Sequence, residues 1–318
     1  MDENKVTRLM VTACVSLVLI TGVVCVAVSC KDSNDDIPPQ NAINAAKETL
    51  VETMAITPSP AAADTEDTTQ SQPDQTSSSA ALDLSSEASG TDVPLLMQTD
   101  PRWSSNSYAG STMADSGCGP TCLSMAALYL TGDGSYTPVE MALYAETNGL
   151  TSEGDGSEWT LITAGAAHAD LSCAEVPKEK IVMQRLAASG VPMICAMGPG
   201  SFTQSGHYIV ITGLQDNKFK VNDPNSQENS SRTWSYDEIS DQIRNTWALW
   251  GTKLNSQQFT VTESGINVRD DSSINGQVKY KANTDKRFTI DKIANGGGYI
   301  WGHMDDGNWI CMSYVKKQ

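Results

Sequence analysis

Three residues far apart in the chain have side chains suited to nucleophilic catalysis. Cys118 stands in "SGCGPTCLSM", His207 in "SGHYIVITG" and Asp223 at the end of "KVNDP". A thiol attacks as its thiolate, an imidazole takes and returns the proton, and a carboxylate holds the imidazole in one tautomer. Gly119 and Pro120 follow Cys118. Pro is tolerated in the first turn of a helix, where its missing N–H costs nothing. Cys118 is therefore expected at the positive end of a helix dipole. Cys122 lies one turn deeper among Leu123, Met125 and Ala126 and reads as a small buried hydrophobe. A zinc site is the competing use of two nearby cysteines. It wants a second Cys or His pair, and the three histidines, His168, His207 and His303, stand apart from one another. No metal and no cofactor are expected. His168 and His303 read as structural.

These residues need elements to bring them together. "CGPTCLSMAALYL" has the content of a buried helix. "TPVEMALYAETNG" carries a capping-box pattern at Thr137 and Glu140, with Pro138 in the first turn. "SEWTLITAGAAHADL" and "KEKIVMQRLAASG" read as two further helices. The texture then changes to short β-rich runs, "VPMICAM", "HYIVITGL", "KFKVND" and later "TWALW", separated by turn residues. A hairpin turning at Asp216-Asn217 would return Asp223 beside His207. Helices followed by an antiparallel sheet make an α+β unit over residues 93–254. Residues 255–318 read as all-β, with many short strands and turns such as "NGG" and "DDG".

The chain before these units is different. Residues 9–30 form an uncharged run of 22 residues, preceded by Lys5 and Arg8 and followed by Asp32, Asp35 and Asp36. That length spans a bilayer core, and the basic flank places the remainder outside the cell. An uncleaved anchor over residues 1–30 is the expectation. A cleaved signal and a lipoprotein signal ending at Cys30, in "AVSC", are the alternatives. Residues 31–92 hold twelve acidic residues against two basic ones and no aromatic residue, and read as a disordered, extended spacer. The spacer carries ten of the seventeen net negative charges, and no basic patch for nucleic acid appears anywhere. Five cysteines remain in the exported part, Cys118, Cys122, Cys173, Cys195 and Cys311. An odd count outside the cell points to a reactive thiol or an intermolecular bridge. Spacing leaves the pairing of Cys122, Cys173 and Cys195 open.

"LLMQTDPRW", "GCGPTCLSM", "SGHYIVITG" and "VNDPNS", in that order, resemble the bacteriocin-processing-like cysteine peptidases, family thirty-nine of that class. The resemblance implies a papain-like fold, with Cys118 as nucleophile, His207 as general base and acid, and Asp223 as its orienter. It also implies that Gln98 helps form the oxyanion hole, where an amide N–H can donate to developing negative charge. Trp103 fits the same pattern as a residue walling the substrate site. The tail, with "INVR", "GYIWGHM" and "GNWICMSYV", is similar to bacterial Src-homology-3-like domains. That likeness implies a small barrel whose Trp301, Trp309 and Tyr314 line a groove for cell-wall peptides or polymers. The expected partners are a peptide or protein substrate, peptidoglycan, and the membrane through the N-terminal segment. The expected activity is extracellular cysteine peptidase chemistry. Peptidoglycan peptide hydrolysis and a non-catalytic wall-binding module are the alternatives.

Overall fold

The computed structural model describes residues 82–318 apart from Asp155, together with a short antiparallel pairing of Val18–Leu19 with Gly22–Val23. The rest of the apolar run at 9–30, and the spacer up to residue 81, lie outside the described residues. No helix among the described residues is long and apolar enough to cross a membrane. Residues 82–318 belong to one compact unit.

The spacer ends earlier than composition suggests. Residues 82–92 were expected within it, yet Leu84 and Ala88 are buried and Ser85–Ala88 is a helical turn. Leu84 N–H donates to Gly134 O at 3.0 Å, and Asp83 Oδ1 accepts from Ser85 N–H at 2.9 Å. The apolar residues of "ALDLSSEA" supply the burial that the spacer proper lacks.

α1 (Cys118–Thr131) is buried from Gly119 to Leu130. It is buried on every face and mostly apolar, and its buried Thr121 and Ser124 hydroxyls donate to Gly117 O and Tyr136 O. Gly132, at φ +75°, stops it. α2 (Pro138–Thr147) starts at Thr137, whose side chain accepts from Glu140 N–H. The reciprocal half of the expected capping box is not made, because the Glu140 carboxylate turns to His168 Nε2 at 2.6 Å. His168 closes α3 (Thr160–His168) and stacks on Tyr144, so its role is structural. β1 (Ser172–Glu175) follows, then α4 (Lys180–Ala188). β1 is the one strand of the large sheet that falls among the helices, and its four residues carry no alternating pattern. The other strands are β2 (Met193–Met197), β3 (His207–Gln215), β4 (Lys218–Asn222), β5 (Thr233–Trp234) and β6 (Ile243–Trp250). They form one antiparallel sheet in the order β5-β4-β3-β2-β6-β1. The β3–β4 hairpin turns at Asp216 and Asn217, both at positive φ, the type of turn that matches strand twist.

The tail is all-β. β7 (Phe259–Val261) pairs with β13 (Val315–Lys317). Between them, β8 (Ile266–Arg269), β9 (Val278–Ala282), β10 (Ile290–Gly296), β11 (Tyr299–Met304) and β12 (Trp309–Cys311) make a five-stranded sheet ordered β9-β8-β12-β11-β10. Its buried Phe259, Phe288, Ile290 and Ile310 join the core of the first unit, where Trp250 packs against Phe259.

The tail also covers an edge of the larger sheet. Asn295 Oδ1 accepts from Glu175 N–H at 2.7 Å, and Asn295 Nδ2 donates to Glu175 O at 2.6 Å. Ile293 N–H donates to Ser172 Oγ at 3.0 Å. One side-chain amide thus stands in for the next strand and blunts an edge that would otherwise offer unpaired groups. Asn295→Ala should lower unfolding stability in urea by about 0.5–1.5 kcal/mol, the usual net worth of hydrogen bonds of this kind. Unchanged stability would show that the edge contact contributes nothing.

Candidate active site

Two glycines set the position of Cys118. A Cβ on Gly117 would lie 2.4 Å from Met113 O, and one on Gly119 would lie 2.2 Å from Ser157 Oγ and 2.6 Å from its Cβ. Only residues without a side chain let the short helix Met113–Ser116 and the Ser157 segment close on both sides of the thiol. Ser157 is held in turn by Tyr108, whose hydroxyl lies 2.6 Å from its Oγ, and by Tyr208, which donates to its carbonyl at 3.2 Å. Burial drives the pKa values of both tyrosines up, so they stay neutral. Cys118 is the first residue of α1 and half-buried.

His207 opens β3 and is 9% exposed; Asp223 follows β4 and is 1% exposed. His207 Nε2 lies 2.7 Å from Asp223 Oδ1. The register of the hairpin decides whether the two can meet. Lys218 to Lys220 pair with Gln215 to Gly213, but Val221 pairs with Ile211 and Asn222 with Val210, so Thr212 is an extra residue, a bulge. Continued by one residue, this register sets Asp223 level with Ile209, on the same face as His207. An unbulged hairpin would set Asp223 level with Val210, on the opposite face.

The Asp223 carboxylate is saturated. Oδ1 also accepts from Asn225 N–H at 2.9 Å, and Oδ2 accepts from Asn229 Nδ2 at 2.8 Å. Burial works to raise its pKa, but the His207 hydrogen bond and charge, with Asn229 and Asn225, hold it below the usual carboxylate value. For His207, burial works to lower the pKa. The hydrogen bond to Asp223 and the neighbouring Cys118 outweigh it and push the value up to about 10. With Nε2 on Asp223, Nδ1 is the ring nitrogen left for Cys118.

Gln98 is 1% exposed. Its Nε2 donates to Ala114 O at 2.7 Å, and its backbone N–H donates to Pro224 O at 2.8 Å. It is thereby tied both to the segment before Cys118 and to the residue after Asp223. Its Oε1 has no hydrogen-bond partner among the described residues. Cys118 and His207 stand between two clefts. One, of about 280 Å³, is lined by Ser157, Trp159, Met197, Gly198, Pro199 and Arg244. The other, of about 550 Å³, is lined by Gln98, Asp115, Ser116, Phe202, Thr203 and Asn225.

Two expected residues sit elsewhere. Trp103 lines neither cleft. It is wholly buried, with Nε1 donating to Met97 O at 2.9 Å, because its bulk anchors the turn that carries Gln98. In the tail, a groove of about 270 Å³ is lined by Ile266, Ile274, Tyr299, Trp301 and Tyr314, among others. Trp309 does not line it; the ring packs against His303, whose Nδ1 lies 2.8 Å from Asp291 Oδ1, a carboxylate oxygen that accepts. Trp301, nearly buried with Nε1 on Gly296 O, forms part of the groove wall, and Tyr314 is 39% exposed. All five cysteines among the described residues are free. Burial raises the Cys122 thiol well above its ordinary pKa and pushes Cys173 and Cys195 up to about 12; Cys122 and Cys195 are core residues, and Cys173 is half-buried against the core.

Sequence reasoning missed Asn225, Asn229, Ser157 and Arg244. The two asparagines lie in the turn-rich "DPNSQEN", whose polar residues signalled a turn rather than partners for Asp223. Ser157 and Arg244 carry no local motif.

A family model described as "Peptidase_C39 like family" matches residues 91–254. Among solved structures, the peptidase domain of Streptococcus ComA, described as a bi-functional ABC transporter involved in quorum sensing, is 17% identical with a TM-score of 0.35. That match covers 43% of this chain and 93% of the other. A protein from Bacillus anthracis described as a C39-like peptidase is 13% identical, also with a TM-score of 0.35, and covers 54% of this chain and 98% of its own. No curated protein matches the chain.

The shifted pKa values have a consequence for stability. His207, raised in the folded state to about 10, stabilises the fold fully below its unfolded value near 6.5 and loses that contribution as pH rises toward 10. Asp223, lowered, stabilises above its unfolded value of 3.8 and loses this as pH falls through its lower folded value. Urea unfolding should therefore give falling stability between pH 6.5 and 8.5, with a shallower fall in Asp223→Asn. Parallel profiles for the two proteins would contradict the coupling.

Proposed function

We propose that this chain, a cysteine peptidase that belongs to the Peptidase_C39 like family, cleaves peptide bonds through Cys118, His207 and Asp223 by way of an acyl-enzyme. The observation that carries the reading is the orientation of His207. Asp223 engages Nε2, which fixes the tautomer and leaves Nδ1 for the thiol at the start of α1.

The chemistry follows from these positions. The Cys118 sulfur, its proton passed to His207, attacks the substrate carbonyl carbon. The carbonyl oxygen becomes an oxyanion and accepts hydrogen bonds from the Cys118 backbone N–H and the free N–H of Gln98. His207 Nδ1 gives its proton to the leaving amine, and the C–N bond breaks to leave a thioester on Cys118. Water, deprotonated by His207, attacks the thioester and releases the acid and the thiol. Asp223 stays ionised throughout, held by Asn225 and Asn229. The saturated carboxylate and the backbone tie of Gln98 to Pro224 support a preorganised site.

In this reading the enzyme works outside the cell, on a membrane anchor at residues 9–30 or a lipid on Cys30. The uncharged run and its basic flank support that placement. The all-β tail acts as a Src-homology-3-like unit that holds the enzyme at cell-wall peptide. The aromatic groove of Tyr299, Trp301 and Tyr314 supports this and favours peptidoglycan peptides as a second substrate class.

Cys118→Ala should abolish turnover of peptides and release of muropeptides from purified walls while leaving urea stability near that of the parent. Retained turnover would remove Cys118 as nucleophile. Gln98→Ala should lower kcat by about 10²-fold, the scale of one oxyanion donor. Its alkylation rate at Cys118 should stay within about twofold. A loss of alkylation equal to the loss of kcat would make Gln98 structural instead.

A further inference from the structure

Arg244 stands beside the reacting residues. It lines the same cleft as Cys118 and His207, with Ser157 and Trp159. The guanidinium lies flat on Gly198: a Cβ there would come within 2.3 Å of Nε, 2.5 Å of Nη2 and 2.6 Å of Cζ. Gly198 is fixed by its N–H to Gln242 O at 2.7 Å, and Arg244 Nη1 donates to Asp241 O at 3.0 Å. The group is therefore seated by a missing side chain on one strand end and a carbonyl on the next. No carboxylate meets it among the described residues, whereas Arg102 and Arg232 each pair with acids. Arg185, Arg269 and Arg287 also lack a carboxylate there, but none of them lines the cleft of Cys118. Residues 93–254 hold 17 acidic residues against nine basic ones, so an anion approaching this cleft meets net negative charge. A fixed guanidinium beside the nucleophile offsets it locally and presents a fork suited to a carboxylate.

We infer that Arg244 is a specificity-determining residue that binds a carboxylate of the substrate beside the bond Cys118 attacks. The inference rests on the peptidase reading and names the substrate class: peptides carrying negative charge next to the scissile bond. The carboxylate is an acidic side chain or a free chain terminus, and both present the same two oxygens. The other cleft shares His207 but carries Asp115 and no arginine or lysine, so it has no such preference.

A pair of small probes tests the charge without needing turnover. Iodoacetate and iodoacetamide alkylate the same thiol and differ by one negative charge. With the full chain and mass-spectrometric readout at Cys118, the iodoacetate-to-iodoacetamide rate ratio should fall about fivefold in Arg244→Gln, the factor for one unit charge in well-hydrated surroundings. It should fall further in Arg244→Glu, with the iodoacetamide rate little changed. An unchanged ratio, or two rates falling together, would overturn the inference. Two peptide pairs then separate the sources, one differing as Glu or Gln next to the bond, the other as a free acid or an amide at the C-terminus. Arg244→Gln should erase the advantage of the charged member in one pair, about tenfold or more in kcat/KM. Equal losses for both members of both pairs would count against Arg244. No cleavage of any peptide by the parent would count against the peptidase reading, and the alkylation ratio would still decide the role of Arg244.

Discussion

The site depends on one irregularity in strand pairing. β3 and β4 begin a regular hairpin at Asp216 and Asn217, and the extra residue Thr212 then shifts the register by one. Side chains alternate between faces, so a shift of one moves everything beyond it to the other side of the sheet. That shift puts Asp223 on the face of His207. The 2.7 Å contact between them, the high pKa of the imidazole and the freedom of Nδ1 all follow from it. A buried ion pair stabilises only when its remaining polar valences are met. Asn225 and Asn229 meet those of Asp223, so the turn after β4 belongs to the site as fully as the strands do.

The thiol is placed by a different device. α1 is buried on all sides and cannot be moved without disturbing the core. Its first turn is squeezed between Met113 and Ser157, and Gly117 and Gly119 are the residues that permit this. Steric constraint fixes Cys118 on the helix, and hydrogen bonding fixes His207 on the sheet. The two devices meet where Gln98 bridges them, with its side chain on Ala114 and its backbone on Pro224.

What could be read in the sequence divides along the same line. Helix α1, the hairpin turn and the strands carrying His207 and Asp223 were legible, because burial period and turn chemistry are local. The bulge at Thr212 was not read, although Gly213 beside it is the kind of strand glycine that often marks one; the residue type alone does not say on which side the register shifts. The simple hairpin argument reached the right partners with the parity still wrong by one. Trp103 and Trp309 were placed by residue type, and aromatic type alone does not separate a buried anchor from a groove wall. Trp103 went to the core and Trp309 to the His303 side, while Tyr299, which carried no expectation, joined the groove. Leu84 and Ala88 were absorbed into a spacer by average composition, although two well-spaced apolar residues are enough to dock one helical turn.

The tail bears on function through its attachment. Its core is continuous with that of the first unit, and Asn295 closes the β1 edge by pairing with both backbone groups of Glu175. Arg185 of α4 reaches the Tyr314 ring, with its guanidinium carbon 6.0 Å from the centroid. Tyr314 therefore belongs to the groove and to the junction at once. A module that only tethers needs a flexible joint, because tethering works through effective concentration. A module packed through a shared core instead fixes the direction from which a bound polymer meets the cleft of Cys118. In the proposed wall-bound enzyme, the tail would thus contribute orientation as well as proximity, and substrate choice would be divided between the groove and the residues flanking the thiol.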